Sequence, residues 1–556
     1  MATKAKYSHE EITEKNPIFS MARTTIETAF YGNNVTTISS LKQCYELACK
    51  TPGVIVTDLP VERPEESGLP EDAKVLLFND GSVTGRTAAA RRIAGEPGVD
   101  VKKICGEIRD AIYAARTKKL YHAKAYIGLD PDFMVRANLC IPEGHEILMY
   151  NWLLNFQYIT PEYTKMYRYS KQMNNEGDIY FFADPDWSHP DYPLGLAFFD
   201  PLHNCACVLG MRYFGELKKG TLTLAWGIAN RNGYASCHGG QKRYDLEDGK
   251  KFVVGVFGLS GSGKSTITHA KHDNKYNVTV LHDDAFIIST ENGSSVALEP
   301  SYFDKTQDYP MSSPDNKYLL SVQNVGATLD EDNKIVLVTE DLRNGNGRAI
   351  KSKIWSPNRV DKIEEPINAI FWLMKDPSMP PIVKVEGAVL ASTMGAALAT
   401  KRTTAERLAP GVDPDALVFE SYANPFRTYP LADDYNKFKA LFENRNVDCY
   451  ILNTGFMMDK KIPKEVTLKC IEDIVEEKAE FIPWGNFTNL KIMNIEGFMP
   501  DMNDAVYKHT LKSRLKDRVD FIASRETFKD GYDKLPKEAL DALEDLLNDV
   551  EKHVMP

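Results

Sequence analysis

The stretch "KFVVGVFGLSGSGKST", residues 251–266, decides how the chain is read. Its first seven residues are a largely apolar run without polar alternation, which predicts a strand buried on both faces. Glycines then interrupt the run, and a helical segment opens at Lys264. Gly258, Gly263, Lys264 and Ser265 match G-x-x-x-x-G-K-[ST]. Glycine tolerates the backbone angles that turn successive N–H groups inward, which makes an anion nest at a helix N-terminus. In such a loop the lysine reaches the outer phosphates and the Ser265 hydroxyl meets the accompanying divalent ion. The spacing predicts nucleotide binding, with Gly258, Ser260, Gly261, Ser262, Gly263, Lys264, Ser265 and Thr266 forming the cradle.

The flanks agree with an α/β sheet around this loop. "YNVTVLHDDAF" (276–286), "INAIFWLM" (367–374) and "VDCYILNTGF" (447–456) each predict a buried strand. Asp283 and Asp284 close the first of these. An acidic pair at a strand end can cap a turn, but beside a phosphate loop it also suits holding a divalent ion. Residues 20–50 have helical spacing, and "AKVLLFND" (73–80) predicts a strand that turns at Asp80-Gly81. Between 120 and 230, strand-like runs alternate with Pro/Asp/Gly turns. From about 504 to 553 the chain is charged with helical apolar spacing. Pro536 suits a first helical turn there, and a surface-packed helix pair is expected.

At 556 residues the chain is too long for one ordinary domain. With 43% apolar and 26% charged residues it reads as soluble and globular. Its formal net charge of −11 argues against a nucleic-acid partner. The nine cysteines are odd in number and scattered, and Cys205 and Cys207 are too close for a zinc ribbon, so reduced thiols are expected. The opening "MATKAKYSHEEITEKNP" has neither an apolar core nor a small-residue cleavage site, and no apolar window is long enough to span a bilayer. These features lead to the expectation of a cytoplasmic protein without membrane contact.

Further segments fall in a specific order: "TGR" (84–86), "YFGELKKG" (213–220), "SCHGG" (236–240), "GLSGSGKST" (258–266), "HDD" (282–284) and "NTG" (453–455). In this order and spacing the chain resembles the ATP-dependent phosphoenolpyruvate carboxykinase family. Its members carry T-G-R, Y-x-G-E-M-K-K-G, S-M-H-C-S, G-L-S-G-T-G-K-T-T, G-D-D and N-T-G. "LEPSYFDK" (298–305), "LMKDPSMPPIVKV" (373–385) and "LATKRTTAE" (398–406) extend the likeness, which covers roughly residues 70 to 500.

The resemblance implies a two-domain α/β fold: residues 1–240 on the substrate side, 241–500 as a P-loop nucleotide-binding domain, and 501–556 as a helical tail packed on the body. The active site would lie in a cleft between the domains. It implies ATP with two divalent ions, Mn2+ and Mg2+. Lys219, His238 and Asp284 would hold the manganese, and Ser265 the ion that travels with the nucleotide. A lysine ligates metal only as the neutral amine, so Lys219 needs a lowered pKa. Arg86 corresponds to the arginine that grips the substrate carboxylate, and Tyr213 to the tyrosine beside that pocket, where Lys219 also meets substrate. Arg348 corresponds to an arginine touching both substrate and γ-phosphate. Lys264 and Asp283 join Lys219 and Arg348 as the catalytic set, and Glu299 and Arg402 are placed with the nucleotide. The implied reaction is the reversible conversion of oxaloacetate and ATP to phosphoenolpyruvate, CO2 and ADP, by a monomer or small homo-oligomer.

Departures concentrate on the acid-binding side. The family's T-G-R-S-P-K-D-K is here "TGRTAAARRI", which loses an acid and a lysine and gains Arg91 and Arg92. G-D-D-E becomes "HDDA" with Ala285, S-M-H-C-S-A becomes "SCHGGQ", and R-V-S-Y-P-I becomes "RAIKSKI". A kinase acting on another acceptor and a nucleotide sensor without chemistry therefore stand beside the carboxykinase reading.

Overall fold

The computed structural model describes residues 6–13, 16, 19–79, 88–171, 173, 176–259, 261–306, 310–340, 347–401 and 417–552. Arg86, Ser260, Arg402 and the expected turn at Asp80-Gly81 lie outside the described residues. The chain forms two compact units: Met1–Ile228 with Leu298–Pro357, and Ala229–Ala297 with Asn358–Pro556. Each unit takes two separate stretches of chain, and residues from 501 onward fall in the second. The cause is visible in strand pairing. Leu319–Gln323 runs parallel to Lys74–Phe78, with Ser321 opposite Leu76, so a late segment completes an early sheet.

The first unit contains a mixed sheet in the order Val35–Thr37, Leu120–Asp130, Phe133–Pro142, Ile179–Asp184, Cys205–Leu209, Leu196–Asp200, Arg91–Ile93. Helix Val101–Ala115 covers one face. Its residues Ile104, Ile108, Ala111, Ile112 and Ala115 recur at three- and four-residue steps and pack with Phe182, Phe198 and Cys207. A five-stranded sheet joins Tyr302–Lys305, Arg348–Lys351, Leu319–Gln323, Lys74–Phe78 and Val54–Pro60.

Two helices occupy stretches that read as strand and turn. All ten residues of Glu146–Asn155 are buried, so no polar face is left to display a helical period. Phe214–Arg231 contains Gly215, Gly220 and Gly227 and the β-branched Thr221 and Thr223, all poor helix formers. Packing overrides that preference. A Cβ at Gly220 would stand 2.6 Å from a ring carbon of Phe181 and 3.0 Å from one of Phe199, so the glycine lets the helix lie against the sheet.

The second unit is built on an eight-stranded sheet ordered Asn277–His282, Gly240–Asp245, Lys251–Phe257, Ala369–Met374, Asp448–Asn453, Ile382–Val385, Leu490–Met493, Phe481–Pro483. Its three central neighbours, from Lys251–Phe257 to Asp448–Asn453, are parallel. Lys251–Phe257 also pairs antiparallel with Gly240–Asp245, so strand direction changes on one side of the strand that leads into the glycine loop. The charged tail forms helices Ala505–Ser524 and Lys537–Glu551, with Pro536 as the cap before the second. The nine cysteines are free, all buried except half-buried Cys49. Among the described residues no helix is long and apolar enough to cross a membrane.

Candidate functional site

The glycine loop leaves the carboxyl end of a central strand, where open α/β sheets present their ligands. Gly261 and Gly263 have φ of 78° and 96°, in the left-handed region that favours glycine. At Gly258 the constraint is space: an added Cβ would lie 2.4 Å from Ser262 Oγ and 2.7 Å from Leu373 Cβ. Helix Lys264–His269 starts directly after Gly263, with Lys264 half-buried and Ser265 and Thr266 exposed. The "NTG" segment braces this loop. Thr454 Oγ1 donates to the Ser262 carbonyl at 2.8 Å. Fully buried Asn453 donates to the carbonyls of Asp376, Met379 and Phe456 at 2.7–2.9 Å. At the other end of the helix, buried Lys242 donates to the carbonyls of Ile267 and Ala270 at 2.7 and 3.1 Å. Burial pushes its amine down to about 7. Nothing in the sequence pattern singles out Lys242.

The two acids of "HDD" take different partners. Asp283 is buried and lies 3.4 Å from His269 Nε2 at the end of the loop helix. Asp284 Oδ1 lies 3.0 Å from His238 Nε2. Strand Tyr234–His238 pairs antiparallel with Ala285–Ser289, setting His238 opposite Ala285, next to Asp284. His282, in the place of the family's glycine, accepts from the backbone N–H groups of Asp284 and Ala285 at Nδ1, at 3.1 and 3.2 Å. That fixes the turn carrying both acids.

His238 Nδ1 hydrogen-bonds the carbonyl of Ala423, so Nδ1 carries the proton. A neutral imidazole then turns its Nε2 lone pair toward the Asp284 carboxylate. Two such acceptors 3.0 Å apart need a shared cation, a proton or a metal. Ligands about 2.1 Å from an octahedral ion and at right angles to each other stand about 3.0 Å apart, so the pair fits a divalent ion. A ligating histidine with its other nitrogen on a carbonyl is also the usual outer-shell arrangement. Ala423 escapes motif reading because its backbone does the work, and it follows Tyr422 in an unusual conformation, φ of 55° and 54°. Among the described residues no group of three or more His, Cys, Asp or Glu gathers for a metal.

Beneath this strand, Asp434 is fully buried and accepts from the Tyr429 hydroxyl at 2.9 Å. Burial raises its carboxyl from 3.8 to about 7, against a smaller opposing pull from Arg427. The folded state therefore holds this proton between about pH 4 and 7 while the unfolded chain has lost it, and stability declines as pH rises through that window. Asp434→Asn is expected to flatten the decline, measured as the denaturation midpoint across pH 4 to 8. An unchanged slope would refute the assignment.

On the first unit, Tyr213 precedes helix Phe214–Arg231, and burial raises its hydroxyl pKa against the lowering effect of hydrogen-bonded Arg348. Arg348, buried, stands opposite Lys305 and Gln323 on its two neighbouring strands, so the three side chains share one sheet face. Paired cations on one face suit a small anionic acid. Lys219 is half-buried on the helix. Arg91, gained relative to the family, donates to Thr223 at 3.1 Å, one turn beyond Lys219.

Glu299 lies in the interior. Expected at the nucleotide, it is fully buried, with Oε1 3.0 Å from the equally buried ammonium of Lys218 and Oε2 bonded by Asn155. With no exposed surface, it is an internal counterion. Its glutamate matches the family motif in position, but motif matching carries no information on burial.

The phosphoenolpyruvate carboxykinase family model matches residues 62–496. Among curated proteins, the chain is similar to the phosphoenolpyruvate carboxykinase (ATP) of Aeropyrum pernix, 28% identical over 346 residues covering 58% of this chain and 67% of that protein. It is 24% identical to the enzyme of that name from a Bradyrhizobium species, over 70% of this chain and 74% of the relative. A third match, 25% identical to the Dictyostelium discoideum enzyme, covers 35% of this chain and 36% of that protein. A family match over most of the chain, together with a glycine loop at the end of a central strand and a histidine–aspartate pair beside it in sequence, places this protein in the ATP-dependent phosphoenolpyruvate carboxykinase family.

Proposed function

We propose that the protein converts oxaloacetate and ATP to phosphoenolpyruvate, CO2 and ADP. The observation that carries the metal-assisted form of this reading is the His238–Asp284 pair, held at ligand spacing with the histidine's other nitrogen occupied. In the reaction the bond from C3 of oxaloacetate to its carboxyl carbon breaks and CO2 leaves. Its electron pair becomes the enolate. The enolate oxygen then takes the γ-phosphoryl group as ADP departs.

A divalent ion at His238 and Asp284 would polarise the carbonyl and stabilise the enolate charge. Lys264 is proposed to disperse charge on the transferring phosphoryl group, and the N–H groups of the glycine loop to cradle the other phosphates. Ser265, exposed at the helix start, is proposed to meet the ion that accompanies the nucleotide. Arg348, oriented by Tyr213, is proposed as the carboxylate fork, since a planar guanidinium matches a planar acid. The amine-ligand role of Lys219, the catalytic role of Asp283, and the roles of Arg86 and Arg402 rest on the motifs alone.

The test is direct. Purified protein supplied with oxaloacetate, ATP and Mn2+ is expected to form phosphoenolpyruvate in step with ADP. Lys264→Ala is expected to lower kcat about 10^3-fold, the scale of losing one preorganised charge partner. ADP release without phosphoenolpyruvate would overturn the proposal in favour of another acceptor.

A further inference from the structure

The C-terminal segment lies beyond the residues matched by the family model, yet its Asp533 carboxylate holds Arg427 and Leu431, a few residues after Ala423 and Phe426, which touch His238. We propose that Asp533 is a positioning residue for His238, and through it for the divalent ion. This rests on the reading of His238 as a ligand.

Asp533 is buried, 4% exposed. Its Oδ1 accepts from Arg427 Nη2 at 2.8 Å and from the backbone N–H of Leu431 at 3.0 Å. Leu431 is the first residue of helix Leu431–Asn444, where a carboxylate also complements the helix dipole. Arg427 Nε in turn donates to the Tyr429 carbonyl at 2.9 Å. One carboxylate thus fastens both ends of the 427–431 turn.

That turn leads to His238 by two routes. Tyr429 hydrogen-bonds Ser236, two residues before His238 and therefore on the same strand face. Upstream of Arg427, Phe426 meets the His238 ring edge-on at 5.5 Å, and Ala423 supplies the carbonyl on Nδ1. Tyr422 and Ala423 are non-glycine residues at positive φ, a conformation costing on the order of 1–3 kcal/mol each unless the surroundings enforce it. Tyr422 is held by its hydroxyl, which hydrogen-bonds Ser392 at 3.0 Å, and by its stack on Phe438, 4.6 Å apart and 3° from parallel. Phe438 lies on the helix whose first N–H Asp533 holds. Releasing that anchor frees the helix start and the turn together. The strained pair can then relax, and the Ala423 carbonyl turns away from Nδ1.

The experiment uses the full chain with 15N-labelled histidine, assigning His238 by its loss in His238→Asn and reading its tautomer from long-range 1H–15N couplings. Mn2+ binding is followed in parallel by electron paramagnetic resonance. The wild type is expected to show the proton on Nδ1. In Asp533→Ala the tautomers should mix and the Mn2+ dissociation constant rise about 10-fold or more. Asp533→Asn keeps an oxygen for Leu431 and is expected to fall between. Were Asp533→Ala not to fold, Arg427→Lys, which keeps the charge but loses the fork, reads the same linkage. A folded Asp533→Ala with an unchanged Nδ1 proton and unchanged Mn2+ affinity overturns the proposal. So does a wild type without the Nδ1 proton. If the tautomer responds but neither form binds Mn2+, the positioning role stands and the metal reading falls.

Discussion

Asp284→Asn is expected to lower kcat/KM for phosphoenolpyruvate formation about 10^3-fold, or about 4 kcal/mol of transition-state stabilisation. The substitution keeps the size of the side chain and removes its charge. It also changes what faces His238. An asparagine amide can turn its N–H toward the Nε2 lone pair 3.0 Å away and occupy the electrons a metal needs. Loss should therefore exceed the mere absence of a charge, and added Mn2+ should not restore activity. ATP affinity measured without metal should stay near wild type, because Asp284 belongs to a separate turn from the glycine loop. Activity within tenfold of wild type at saturating Mn2+ would remove Asp284 from the ion's ligands.

Glu299→Ala carries the other large effect, on stability. Lys218 and Glu299 are both fully buried and 3.0 Å apart. Deleting the acid strands an ammonium in the interior, at a cost of about 3–5 kcal/mol. Replacing both partners, as in Lys218→Met with Glu299→Leu, leaves no uncompensated charge and should recover much of that loss. The comparison is made by urea denaturation followed by tryptophan fluorescence, since Trp152, Trp187, Trp226 and Trp355 all lie in the first unit. If the single variant is as stable as the double, the pair is not ionic. Lys218 adjoins Lys219 on one helix, so activity is expected to fall in both variants even where stability returns.

What was legible in the sequence depended on how each residue acts. Strands Lys251–Phe257, Asn277–His282, Ala369–Met374 and Asp448–Asn453 announced themselves because apolar runs bounded by turn residues have few other uses. The glycine loop was legible because its geometry restricts residue type at several fixed spacings. Helix Glu146–Asn155 was hidden because complete burial erases amphipathic periodicity. Helix Phe214–Arg231 was hidden because its three glycines read as turns, although Gly220 is needed for close packing on the sheet. At the site, His238 and Asp284 came from motif order and are found together. Ala423 and Asp533 were invisible: one acts through a carbonyl that every residue possesses, the other through a partner about a hundred positions away. Glu299 matches a family letter, and its burial against Lys218 could not be read from that match.

The return of Leu298–Pro357 to the first unit has a consequence for biosynthesis. Strand Lys74–Phe78 leaves the ribosome long before Leu319–Gln323, its parallel neighbour. At translation speeds of about 5–20 residues per second, the early strand waits roughly ten to fifty seconds with one edge unsatisfied. During that interval, 229–297 is synthesised and can begin its own sheet. An apolar edge left open for so long is what holdase chaperones bind. Nascent chains arrested near residue 300 should accordingly be far more chaperone-dependent than chains arrested after 360.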